Sequence, residues 1–181
     1  MKIRKRIIMM LCLNFLFFGC KKDNIESGNI IDKTNPDAPK QIISNEITYF
    51  YLDFYHFNCA TQNDSHEFTF EITTNEQGIV MAYEKHSNIQ FEADEKLLTH
   101  LQIIIQEQQL VQNNGIYLLR TGVDPKYQKC ELHVMYRSNE RLDYTTNNDP
   151  NALWTEQIYT LFNEWFLSKG IVDLSSKKIM N

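Results

Sequence analysis

A change of hydrophobic period near residue 94 constrains this chain more than any other feature. From Ile47 to Glu92 apolar residues recur at alternate positions, as in half-buried strands. Phe50, Leu52 and Phe54 share one side of the first run, and Tyr49, Tyr51, Asp53 and Tyr55 share the other. The second run places His66, Phe68, Phe70 and Ile72 against Glu67, Thr69, Glu71 and Thr73. The turn Asn75-Glu76-Gln77-Gly78 leads to a third strand over 79–85, and His86-Ser87-Asn88 leads to a short fourth over 89–92.

The period then lengthens. Leu97, Leu98, Leu101, Ile104, Ile105 and Val111 form one stripe, which predicts an amphipathic helix over 94–112 with Asp94 as its cap. Residues 116–128 read as a long connection. Cys130, Leu132, Val134 and Tyr136 alternate with Glu131, His133 and Arg137, and a turn at 138–140 returns the chain along Leu142 and Tyr144. Asp149-Pro150 then predicts the start of a second helix, with Trp154, Ile158, Leu161, Phe162 and Trp165 as its stripe. The order ββββ-α-ββ-α predicts an α+β fold: an antiparallel sheet of five to six strands, both helices on one face and the other face solvated.

The N-terminus carries a different message. Lys2, Arg4, Lys5 and Arg6 precede an apolar run from Ile7 to Gly19, followed by Cys20. This is the layout of a secretory signal, too short for a comfortable bilayer span of roughly 20 apolar residues. Leu16-Phe17-Phe18-Gly19-Cys20 resembles the lipobox of bacterial lipoproteins, with Phe17 and Phe18 where a Leu and a small residue are usual. The resemblance implies cleavage before Cys20, acylation of that cysteine (palmitate among the chains) and attachment to the membrane through the lipid. Lys21-Lys22-Asp23, with Glu26, is similar to the charged segment behind the cysteine in surface-exported lipoproteins of Bacteroidota. The expected address is the outer membrane, facing the periplasm or the surface. The expected division is a signal peptide over 1–19, a lipidated cysteine and flexible tether over 20–45, one α+β domain over 46–172 and a frayed tail over 173–181. The tether reading rests on low hydrophobicity, Pro36 and Pro39. A coil of that length spans on the order of 25–30 Å.

Cleavage would also change the charge. Four of the 18 Lys and Arg fall in residues 1–19, so the mature chain carries 14 against 23 acidic residues, a net of −9. That balance argues against nucleic acid as a partner. Of four cysteines, Cys12 leaves with the signal and Cys20 becomes the anchor. Cys59 and Cys130 either form a disulfide or remain as two small buried apolar side chains.

No catalytic, cofactor or metal motif emerges. The chain lacks a nucleophile elbow, a P-loop, a dinucleotide fingerprint and H-E-x-x-H. His56-x-x-Cys59 offers two ligands where zinc wants three or four. Asn147, Asp149 and Asn151 begin like a calcium loop, but Ala152 and Ile158 stand where Gly and Glu are required. Tyr49, Tyr51 and Tyr55 are the one candidate binding face; the plainer reading, which the residues favour, is that they cover the open sheet or pack under the 116–128 loop. The arrangement as a whole is similar to small Bacteroidota lipoproteins of uncharacterised function. The expectation is a non-enzymatic, lipid-anchored envelope module binding a protein, peptide or glycan. The alternative is an inhibitor or immunity-type lipoprotein that neutralises a basic enzyme or toxin.

The anchor has a direct check. Cys20→Ala is expected to abolish palmitate labelling and release the chain from the membrane fraction. Unchanged labelling and fractionation would remove the lipoprotein reading.

Overall fold

The computed structural model describes residues 28–56, 66–122, 129–147, 152–171 and 174. Its elements are β1 (Ile30–Asp32), β2 (Ile47–His56), β3 (His66–Thr74), β4 (Val80–Glu84), β5 (Ile89–Glu92) and α1 (Glu95–Glu107). A 3₁₀ turn (Leu110–Asn113), β6 (Ile116–Arg120), β7 (Lys129–Tyr136), β8 (Arg141–Asn147) and α2 (Leu153–Ser168) follow. The fold is α+β. Among the described residues, eight strands form one sheet in the order β1-β6-β8-β7-β2-β3-β4-β5.

The expected five to six antiparallel strands therefore become eight, and the sheet is mixed. β6 runs parallel to β8, whereas the other neighbours are antiparallel. β6 occupies the first part of the expected 116–128 connection. Its five residues are half-buried or exposed throughout, so no alternation marks it. β1 is three exposed residues within the expected tether. Backbone pairing holds both, which side-chain pattern does not report.

The alternating runs mostly behave as their patterns require, except that His66 at the start of β3 is exposed and the outward Thr69 is buried. Phe50, Leu52 and Phe54 of β2, Phe68, Phe70 and Ile72 of β3, and Leu132, Val134 and Tyr136 of β7 join one core. Ile47 is also buried although it falls out of step with Phe50. A register shift between Ile47 and Tyr49 against β7 accounts for it: one extra residue on β2 turns Ile47 back to the core face.

Both helices pack on this face. Phe162 of α2 stacks on Phe70 at 4.3 Å between ring centroids, and Phe166 lies 6.2 Å from Phe91. Leu97, Leu101 and Ile105 of α1 are buried in the same core. Asp94 links the two helices. Its Oδ1 accepts from the Leu97 amide at 2.8 Å, capping α1, and its Oδ2 accepts from the Trp165 indole at 2.9 Å. The start of α1 thus meets the end of α2, so the pair is antiparallel. Burial raises the Asp94 carboxyl pKa, but donors from Trp165, Leu97 and Lys169 outweigh it and hold the carboxyl below its ordinary value.

Two helix boundaries differ from expectation. α1 stops at Glu107, not 112, because Gln109 takes a left-handed conformation (φ 51°) and the chain tightens into the 3₁₀ turn. α2 is capped at Ala152 without a side-chain hydrogen bond. Asp149 and Pro150 lie outside the described residues. No described helix is long and apolar enough to cross a membrane.

The described part of the expected tether is a strap bound to the domain. Lys33 and Asn35 donate backbone hydrogen bonds to Tyr117 and Gly115 carbonyls at 2.9 and 2.8 Å. Asn114 donates to the Pro39 carbonyl at 2.9 Å, and the Glu140 carboxylate accepts from the Ile43 and Ser44 amides, both at 2.9 Å. Low hydrophobicity predicted disorder, but polar side chains far along the chain supply the partners. Residues 20–27 and the expected tail 175–181 lie outside the described residues.

Gly115 lets the strap approach. Its φ is +81°, and a Cβ there would sit 2.4 Å from the Ala38 Cβ and 2.6 Å from the Asn35 carbonyl oxygen. Gly115→Ala is expected to cost about 1–3 kcal/mol in urea denaturation and to speed proteolysis within residues 33–40. Wild-type stability and cleavage rate in the variant would contradict the strap.

Candidate polar cleft on the open sheet face

The strap also builds a wall. Between it and the outer face of β6, β8 and β7 lies a cleft of about 500 Å³, lined by Lys33, Tyr117, Glu131, His133, Arg141 and Asp143 among others. Its chemistry comes from the polar half of the strand period. Cys130, Leu132 and Val134 turn inward, so Glu131 and His133 turn outward. The β7–β8 hairpin sets His133 opposite Asp143 and Glu131 opposite Thr145.

His133 is held from both sides. Its Nδ1 lies 2.7 Å from Asp143 Oδ1 and its Nε2 lies 3.1 Å from Glu131 Oε1. The Asp143 contact, with help from Glu131, pushes the imidazole pKa above its ordinary value despite half-burial. The shift in Asp143 agrees: the hydrogen bond with His133 holds its carboxyl below the usual range. Burial acts upward on Glu131, but Lys129 and His133 more than reverse it. The result is an imidazole held between two carboxylates that favour its protonated form.

This arrangement holds the ring in place from both sides. Both His133 nitrogens are engaged. The carboxylates occupy opposite edges of the ring, so the three groups cannot converge on one metal ion. Charge is instead presented in fixed positions. Arg141 Nε lies 3.6 Å from Asp143 Oδ2, and the Lys33 ammonium lies 5.5 Å from the Tyr117 ring centroid.

The tyrosine row lies on the same open face. Tyr49, Tyr51 and Tyr55 are all partly buried on the side of β2 away from the helices. Tyr51 comes closest to the cleft chemistry, its ring 5.9 Å from that of His133. Burial, then the Asp53 and Glu131 charges, push its hydroxyl up to about 12. Tyr49 leans toward Glu71 of β3, and its hydroxyl is likewise raised, first by burial. Tyr55 pairs in register with Glu67 at the far end of the strand. The structure thus gathers Tyr51 near the cleft and spreads the other two along the sheet.

The remaining sequence candidates take other places. Cys130 is buried on the core face of β7, and Cys59, like Cys20, lies outside the described residues. A Cys59–Cys130 bridge therefore lies outside them as well. His56 faces the helices: it contacts Glu156 at 3.1 Å and stacks on Tyr159 at 4.5 Å, which anchors the start of α2. Asn147 ends β8 and accepts from the Arg120 amide.

Among the described residues, one group has the spacing to meet a metal ion. Ligand atoms of Asp53, Glu67 and His86 lie within 4.8 Å of one another on the open face. Their polar needs are partly met internally, since the Thr69 hydroxyl donates to Asp53 at 3.1 Å and contacts His86 Nε2 at 3.0 Å. The turn that carries His86 is set by Glu84. Its fully buried carboxylate accepts from the His86 amide at 3.2 Å and the Ser87 amide at 2.6 Å. No family model, curated protein or solved structure matches this chain.

Sequence reasoning placed Glu131 and His133 on the outward side of their strand but did not join them to Asp143. The signal was available in the hairpin, whose turn at 137–140 sets the pairing. The strap wall had no comparable signal.

The clamp predicts a pH dependence. A raised imidazole pKa stabilises the fold fully below the ordinary value of 6.5, and that stabilisation fades as pH rises through the folded value. His133→Gln is therefore expected to cost about 1 kcal/mol near pH 6 and less at pH 9, read from urea midpoints. Asp143, Glu131, Tyr51 and Arg141 are the ionisable neighbours to hold constant. A cost that grows with pH would contradict the clamp.

Proposed function

We propose that this protein is a lipid-anchored envelope module that binds a protein, peptide or glycan without catalysis, and that the open sheet face is its binding surface. The carrying observation is the 500 Å³ cleft in which His133 sits between Glu131 and Asp143 beside Tyr51 and Tyr117. A site of this size, rigidly backed by strands and rimmed by aromatic rings and charge-fixed donors and acceptors, fits a small polar ligand or a peptide segment. Tyrosine adds amphipathic area that loses little conformational freedom on binding.

The lipobox-like segment ending at Cys20 supports the envelope address. Two or more acyl chains on that cysteine would give stable attachment, since each buried methylene contributes about 0.8 kcal/mol. The outer membrane is the address proposed from the charged residues that follow.

A second reading is neutralisation of a basic enzyme or toxin. It draws on the mature chain's net charge of −9.

Capture from a detergent extract of cell envelopes tests the first reading. The full chain is expected to retain a partner or a glycan fraction that His133→Ala and Tyr51→Ala each lose about tenfold, with unchanged circular dichroism. Equal capture by wild type and both folded variants would place binding elsewhere. Turnover of an envelope substrate that depends on His133 would overturn the non-catalytic assignment.

A further inference from the structure

A second surface lies on the opposite side of the molecule, on the outside of the helical layer. α1 and α2 leave a furrow of about 410 Å³ between them. Its apolar part is Ile103, Ile104 and Leu161, with Ile103 40% exposed. Its charged part is one-signed: Glu107 on α1 and Glu156 and Glu164 on α2. His100 is the only basic side chain lining it, and neither Lys nor Arg takes part. Glu156 also contacts His56, which leaves Glu107 and Glu164 as the carboxylates flanking the apolar strip.

The polar atoms of the furrow are mostly acceptors. Two features therefore ask for the same ligand: an apolar strip and carboxylates along it.

We infer that this furrow docks a cationic amphipathic segment of a partner protein, its apolar residues on Ile103, Ile104 and Leu161 and its Lys or Arg residues at Glu107 and Glu164. Helix-in-groove recognition reads an apolar face at helical spacing, and charge complementarity sets the orientation and the partner. The inference is independent of the open-face cleft. It gives the neutralisation reading a specific place on the molecule.

The test uses the full chain and fluorescently labelled peptides of about 18 residues, read by anisotropy. One peptide alternates Lys and Leu at helical period, one has the same composition scrambled, and one carries Glu in place of Lys. The amphipathic Lys/Leu peptide is expected to bind at least about tenfold tighter than the scrambled one, and the Glu peptide not at all. E107K/E164K is expected to lose about tenfold or more, I103S about fivefold, and His133→Ala in the open-face cleft nothing. Circular dichroism confirms that each variant folds. Equal binding of the ordered and scrambled peptides would reduce the effect to net charge and overturn the proposal. So would full binding by E107K/E164K.

Two other occupants are separated by the same experiment. Residues 175–181 contain Lys177, Lys178, Ile179 and Met180. Binding seen only after their removal would mean that the chain's own end fills the furrow, against the proposal. Self-association that rises with concentration, is abolished by I103S and blocks the peptide would assign the furrow to a second copy instead.

Discussion

The stack of Phe162 on Phe70, at 4.3 Å, is the contact on which the two-layer arrangement depends. Phe50 lies 6.0 Å from the same ring, and Phe91, Trp165 and Phe166 extend the aromatic seam toward β5. Each such ring buries about 150–250 Å², far more than any hydrogen bond here can match in stabilisation. Covering this face with α1 and α2 leaves the other face of the same strands without a helical partner among the described residues. The polar half of every alternating strand is therefore presented outward. The function proposed for the open face would follow from packing on the closed one.

Much of this was legible in the residues. Strand and helix periods placed β2, β3, β4, β5, α1 and the β7–β8 hairpin, because side-chain burial is what those periods record. Asp94 was legible as a cap, although its bond to Trp165 was not, since that contact spans 71 residues. β1 and β6 were hidden for a physical reason. They join the sheet through backbone groups, and every residue type carries the same ones. Gln109 ended α1 early through a local left-handed turn that propensity does not encode.

The site was legible in halves. Alternation put the tyrosines and His133 on the outward side, and it could have joined His133 to Asp143 through the turn. The wall of the cleft was out of reach. Residues 33–40 are polar and proline-containing, which describes a loose segment unless partners exist elsewhere. They do exist, on Tyr117, Gly115 and Asn114, some 74–84 positions away. Asn114 shows the economy of the arrangement. Its amide nitrogen donates to the Pro39 and Arg141 carbonyls and its oxygen accepts from the Asp143 amide, so one buried side chain fixes the strap, the hairpin and the clamp residue together.

One face of the sheet is sealed by the helices, and the other is open to a ligand among the described residues. Hydroxyl-radical footprinting of the full chain, read residue by residue by mass spectrometry, measures this directly. Tyr51 and Tyr117 should be oxidised readily, while Tyr136, at 1% exposure, and Phe70 should be protected. Protection of Tyr51 and Tyr117 to the level of Tyr136 would show that the open face is covered, and would contradict the account.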